Sequence, residues 1–184
     1  MFLAWREMKK SPLRFLLIGS VLALIAYLAF FLSGLATGLQ TINRSAVDEW
    51  KADGIVLAEE ADRRLMSSLL STDVRETLTA DEIAPLSQWS AILQKKKEKQ
   101  NVSIFGIDQQ SFIAPTITKG KMFQAPFEVV ANDSLRDLDV TIGDVLALSG
   151  TDEKVKIVGF TKDAMFSAAP VLYTDESTLR LRKY

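Results

Sequence analysis

The chain has 184 residues, 22 basic against 23 acidic side chains, and neither histidine nor cysteine. That composition excludes Ser-His-Asp and Cys-His triads, zinc sites of the usual kind and any disulfide framework. A net charge of −1 lacks the basic excess that marks nucleic-acid binding, so no nucleic-acid partner is expected.

The chain opens on a basic flank. Phe2, Trp5 and Met8 recur every third residue with Arg6, Lys9 and Lys10 between them. This predicts a short cytoplasmic, interfacial helix within residues 1–11. Ser11-Pro12 then supplies an N-cap and a first-turn proline. Phe15–Leu39 follows without a single charged residue. About 20 residues cross a hydrocarbon core of about 30 Å, so residues 12–39 are expected to be one transmembrane helix. A cleavable signal sequence has an apolar core of only about 7–15 residues, and Gly34-Leu35-Ala36-Thr37 is a poor cleavage site. A buried core helix would need cover on every side, which the polar remainder of the chain could not give.

The flanks set the expected orientation. Arg6, Lys9, Lys10 and Arg14 against Glu7 give +3 before the span; beyond Arg44, 17 basic and 22 acidic residues give −5. Positive flanks stay cytoplasmic, so residues 40–184 are expected outside the plasma membrane. Small residues recur within the span. Gly34-x-x-x-Gly38 together with Ala26 forms a face on which helix backbones approach closely, predicting packing against other helices or a dimer mate.

The outer segment reads as a mixed α+β domain. Leu39–Lys51 can carry the helix onward, and Asp53-Gly54 ends it. Gly54–Ala58 reads as a strand, and Leu65–Leu70 as either strand or helix. Thr79–Glu82 has capping-box form and is expected to open a short helix or turn limited by Pro85. Gln88–Leu93 and Val102–Ile107 flank the tip Lys95–Lys99 as a hairpin with a solvated end. Phe127–Ala131 is a strand, and Asn132-Asp133-Ser134 caps a helical turn. Val145–Leu148 and Val155–Phe160 are strands joined at Ser149–Asp152. Pro170–Tyr173 is the last strand, and Asp175–Arg182 suits a short helix.

No catalytic constellation emerges. The carboxylates are scattered, and Ser67, Ser68 and Ser71 have no histidine to act as base. No G-x-x-x-x-G-K-[ST] loop is present. A non-enzymatic chain with no intrinsic cofactor or metal is expected, and any ATP-driven role would need another subunit.

Several stretches carry a resemblance. They are WREMKKSPLRF entering the span, FLSGLATGL leaving it, FEVVANDSL, VTIGDVLAL and VKIVGFTKDAMFSAAPVLY. Together they resemble the permease subunit of ABC transporters of the FtsX/MacB type. The marks are V-x-x-G-D-x-L at Val140–Leu146 and the following strand Val155–Gly159. The SGLA-x-GL exit and the Asp163–Phe166 ending resemble the haem-efflux permeases of Gram-positive bacteria. The resemblance implies a MacB-like outer domain and a homodimeric permease on separate cytoplasmic ATPase subunits, exporting haem or another amphipathic toxic compound. It covers the family's first half. Three later spans would lie past Tyr184, so the chain is expected to be a truncated or split portion. With haem as the transported substrate, Glu49, Trp50, Phe166 and Tyr173 are the candidate contacts, since iron ligation by His or Cys is closed. Their plainer roles are an interfacial anchor at Trp50 and core packing at Phe166 and Tyr173. An alternative within the same resemblance is a non-transport membrane protein whose outer domain regulates a cell-wall enzyme or lipoprotein.

Overall fold

The structure, a computed structural model, describes residues 10–71, 73–95, 98–149 and 153–180. The amphipathic segment at Phe2–Lys9, the middle of the lysine tip, the turn centre at Gly150–Asp152 and the final Leu181–Tyr184 lie outside the described residues. The chain divides into two compact units, Met1–Thr41 and Ile42–Tyr184.

One helix, α1 (Pro12–Asp48), runs without interruption through the apolar stretch. Its most apolar 18-residue window has a mean hydropathy of 2.6 and is 0% buried. It is therefore long and apolar enough to cross a membrane, and its side chains need a solvent other than water. Ser20, Thr37 and Thr41 turn their hydroxyls back onto carbonyls three or four residues earlier. That satisfies each polar group inside the helix itself.

Among its described residues the second unit has eight strands: β1 (Ser87–Lys95), β2 (Glu98–Ile107), β3 (Ile117–Gly120), β4 (Glu128–Asn132), β5 (Val145–Leu148), β6 (Lys154–Thr161), β7 (Met165–Phe166) and β8 (Ala169–Asp175). Six of them close a ring. The order β2-β1-β5-β6-β4-β8 returns to β2 through parallel pairing of β2 with β8, from Ser103 opposite Val171 to Ile107 opposite Asp175. The β4–β6 pair is also parallel; the other ring pairings are antiparallel. β3 joins β6, and β7 joins β8.

Strand alternation sorts the core into two clusters. Val102 and Ile104 of β2, Val129 and Ala131 of β4, Val155 and Ile157 of β6 and Leu172 of β8 point into the ring with Leu93, Leu146 and Leu148. Their neighbours in sequence, Phe105, Val130, Val158, Val171 and Tyr173, point outward into a second cluster. That outer wall is covered by Ala46 and Trp50 from the end of α1 and by Ile113 and Phe123 from the connection around β3.

The glycines of the Gly120–Gly159 crossing are required sterically. A Cβ on Gly159 would sit 2.5 Å from the Lys121 carbonyl oxygen, and one on Gly120 2.4 Å from that of Val158. Only bare backbone lets β3 and β6 approach so closely.

The hairpin, the strands of the second half, the Asn132 cap and the final helix form as the sequence predicts. Asn132 accepts from Ser134 N–H at 2.8 Å at the head of a 3-10 turn, Asp133–Leu138. The final helix, α3, is Glu176–Arg180. Two expectations fail. Gly54–Ala58 forms no strand: Ile55 and Val56 are exposed, and β-propensity without a ladder partner makes no sheet. Thr79–Glu82 opens neither a helix nor a hydrogen-bonded turn, only a bend at Asp81; the helical turn, α2, lies ahead of it at Val74–Thr77, and residues 78–86 run irregularly into β1. Leu65–Ser67 resolves as a 3-10 turn.

Candidate functional site

The end of α1 is where apolar helix gives way to folded domain. Residues before Ser45 are exposed, whereas Ser45 and Ala46 are buried. Ser45 Oγ accepts from Met165 N–H at 3.0 Å and faces the Met165 carbonyl at 3.5 Å. Two residues earlier, the Asn43 carbonyl accepts from Ser167 N–H at 3.0 Å. These bonds hold the tight β7–β8 turn, where Ser167 and Ala168 both adopt left-handed backbone, φ 51° and 57°. Asn-Gly would reach that conformation more easily than Ser-Ala, so the helix end helps fix a turn that its own residues resist.

Beneath this clamp lies an aromatic cluster centred on Phe105, which is fully buried. Its ring lies 5.7 Å from Trp50, 5.4 Å from Phe166 and 5.8 Å from Tyr173, the last two edge-on. The structure thus brings together Trp50, Phe166 and Tyr173, three of the four residues singled out in the sequence, from the two ends of the outer unit. Glu49, the fourth, is exposed and adjoins only Trp50 in sequence. Trp50 and Tyr173 are buried and Phe166 is half-buried, so this is a packed cluster with one open edge. Trp50 Nε1 is buried without a partner at hydrogen-bond geometry among the described residues, so its approach to Tyr173 is a polar contact and not a bond. Burial pushes the Tyr173 phenol above its ordinary range, with the Glu49 carboxylate adding a smaller upward push and the Trp50 indole opposing it. A phenol so placed keeps its proton.

The V-x-x-G-D-x-L stretch has a structural explanation. Gly143 takes φ 97°, and its N–H reaches the Ile157 carbonyl at 2.8 Å. Asp144 Oδ2 accepts from Thr141 N–H at 2.9 Å and from Lys95 Nζ at 2.7 Å. Lys95 Nζ also donates to the Asp139 carbonyl. These contacts hold the Asp144 carboxyl below the usual range, the Lys95 bond contributing most. Lys95 is therefore a tie between the hairpin and this turn, unlike the solvated tip expected of it. Phe105, Ser45 and the Lys95–Asp144 pair went unmarked in the sequence, since their roles depend on contacts 44 to 120 residues apart.

On α1, Ala26 is exposed, and a methyl group added at Gly34 or Gly38 would meet nothing within 4 Å. Among the described residues, no group of three or more acidic side chains could hold a metal ion.

The described residues thus form a long apolar helix followed by a small mixed barrel. No family model matches the sequence. Along nearly its whole length the chain is nonetheless similar in sequence to ABC transporter permeases. It is 27% identical over 181 residues to a putative hemin transport system permease protein, HrtB, of Staphylococcus epidermidis, covering 97% of this chain and 51% of that protein. The corresponding protein of Staphylococcus haemolyticus is 22% identical over 98% of the chain and 51% of its own length. An uncharacterized ABC transporter permease of Mycobacterium tuberculosis is 24% identical over 98% and 52%. The chain thus spans about half the length of the curated relatives it matches. Among solved structures, the extracellular domain of the noncanonic ABC-type transporter YknZ from Gram-positive bacteria aligns at 12% identity with a TM-score of 0.49, covering 69% of this chain and 73% of that one.

Proposed function

We propose that the chain is the N-terminal portion of the permease subunit of an ABC-type exporter. Its cargo is haem or a similar amphipathic compound, and a separate cytoplasmic ATPase supplies the energy. The observation that carries this reading is the match of 97% of the chain to a putative hemin transport permease. Two features support it. The apolar helix runs without a break to Asp48, and the chain holds an uncharged stretch, Phe15–Leu39, long enough to span a bilayer. In this reading the N-terminus is cytoplasmic and residues 40–184 are extracellular, following the positive flank. Gly34, Gly38 and Ala26 pack against later spans or a dimer mate. Glu49 and the open edge of Phe166 meet the cargo above a floor of Trp50 and Tyr173.

The test has two parts. Cells lacking the gene should retain more haem after a haem pulse than parental cells; equal retention overturns haem as cargo. Purified chain in detergent should bind haem by absorbance, and Glu49→Ala should weaken binding about tenfold, or about 1.4 kcal/mol. Identical spectra and affinity for Glu49→Ala and Trp50→Ala would remove the site.

A further inference from the structure

Between the end of α1 and β1 the outer unit carries an ordered loop with its apolar side chains turned outward. Ala58 N–H bonds Ser68 Oγ at 2.9 Å, joining the two limbs of the loop. Ala61 is buried, and its carbonyl accepts from Arg64 N–H at 2.8 Å. Met66 Sδ lies 3.8 Å from Ser90 Oγ on β1. The loop is thus held at several points, yet Met66 is 57% and Leu69 83% exposed, with Leu70, Ile55 and Val56 open beside them. Exposed aliphatic side chains gathered on one ordered loop mark an interaction surface.

The charge pattern selects the occupant. The acidic side chains Glu59, Glu60 and Asp62 sit on the first limb and its turn. From Arg63 to Ser71 there is no acidic residue, only Arg63-Arg64 followed by Leu65, Met66, Leu69 and Leu70. Neither arginine makes an ion pair among the described residues. Guanidinium groups beside a short aliphatic cluster fit a phospholipid surface: the arginines meet phosphates while the aliphatic side chains enter the acyl boundary. The loop is also joined through the chain to the end of α1. A covalently held segment needs little intrinsic affinity to stay bound.

We propose that Arg63–Leu70 is a membrane-interface anchor that inserts Met66, Leu69 and Leu70 into the bilayer that α1 crosses. The proposal rests on α1 being a transmembrane helix. The chain has no cysteine, so single nitroxide labels can be placed without background. Three variants, Leu69→Cys, Val145→Cys and Phe30→Cys, are labelled in the full chain and reconstituted in phosphatidylethanolamine–phosphatidylglycerol vesicles. Collisions with oxygen, which concentrates in lipid, are compared with collisions with a water-soluble nickel chelate. The Leu69 label should favour oxygen several-fold, as the Phe30 label does. The Val145 label, exposed on another wall of the barrel, should favour nickel. A Leu69 label that behaves like Val145 overturns the anchor while leaving the helix in place. A Leu69 label shielded from both reagents overturns it in favour of a protein partner. A Phe30 label that favours nickel removes the transmembrane reading, and the anchor with it.

Discussion

The two units handle apolar surface in opposite ways. In Met1–Thr41 the described large side chains all lie on the outside of one helix; Phe30 is 80% exposed and Leu16 67%. In Ile42–Tyr184 side chains of the same kinds are divided by strand alternation into two buried clusters. The kinds of apolar side chain do not separate the regions; the availability of partners does. A lone helix cannot bury its own surface, so its apolar residues imply a solvent. A closed ring of strands provides an inside, and its outer wall is covered by the connection around β3 and the helix end. The change occurs within α1 itself: Ile42–Arg44 remain exposed, and the next two residues are core.

The same substitution made in each unit breaks this contrast most sharply. Phe105→Ala removes the ring on which Trp50, Phe166 and Tyr173 converge. It should cost the outer unit about 3–5 kcal/mol. Phe30→Ala removes an equal ring that is largely exposed and should leave that stability unchanged within about 0.5 kcal/mol. Urea denaturation in detergent, followed by circular dichroism of the strand signal, reads both. Equal midpoints would mean that the aromatic cluster is not what holds the outer wall.

A smaller effect is expected where the helix end meets the β7–β8 turn. Ser45→Ala deletes the acceptor for Met165 N–H and leaves that donor unpaired in a half-buried position. The expected loss is about 1–2 kcal/mol. Hydrogen exchange at Met165 and Ser167 should accelerate before exchange elsewhere in the sheet, because the strained turn opens first. Ser33→Ala, on the exposed part of α1, should change neither. Faster exchange throughout the sheet would show instead that the turn opens only with the whole domain.

Much of this was legible in the sequence, for identifiable reasons. Phe15–Leu39 announces itself by the absence of charge, and hairpins and caps by residues near one another. Val129, Ala131, Val155 and Ile157 follow a period of two that any strand must show. Ring closure does not appear in such patterns. It depends on β2 meeting β8 in parallel, more than 60 residues apart, and neither strand's composition specifies a partner. Gly54–Ala58 misled for the same reason: Ile55 and Val56 have the propensity of a strand, and nothing pairs with them. Among the candidate contacts, Trp50, Phe166 and Tyr173 were visible as aromatic residues; their convergence on Phe105 was not.

The finest distinction lies at the turn that joins the hairpin to the ring. Asp144 is held below the ordinary carboxylate value by Lys95 first and by the Thr141 amide second. A group whose pKa is lower folded than unfolded stabilises the fold above its unfolded value, near 3.9, and that stability is lost as pH falls through the folded value. Asp144→Asn can still accept from Thr141 but no longer pairs with Lys95. It should cost about 1 kcal/mol or less at neutral pH, because the pair is partly solvated. As pH falls through the lowered folded value the difference from the parent should shrink toward zero, since the carboxyl takes up its proton there and both side chains are then neutral. Thermal melts of the two proteins from pH 7 down to pH 3 test this. A gap that stays constant with pH would assign the loss to altered packing at the turn and leave Lys95–Asp144 without an electrostatic role.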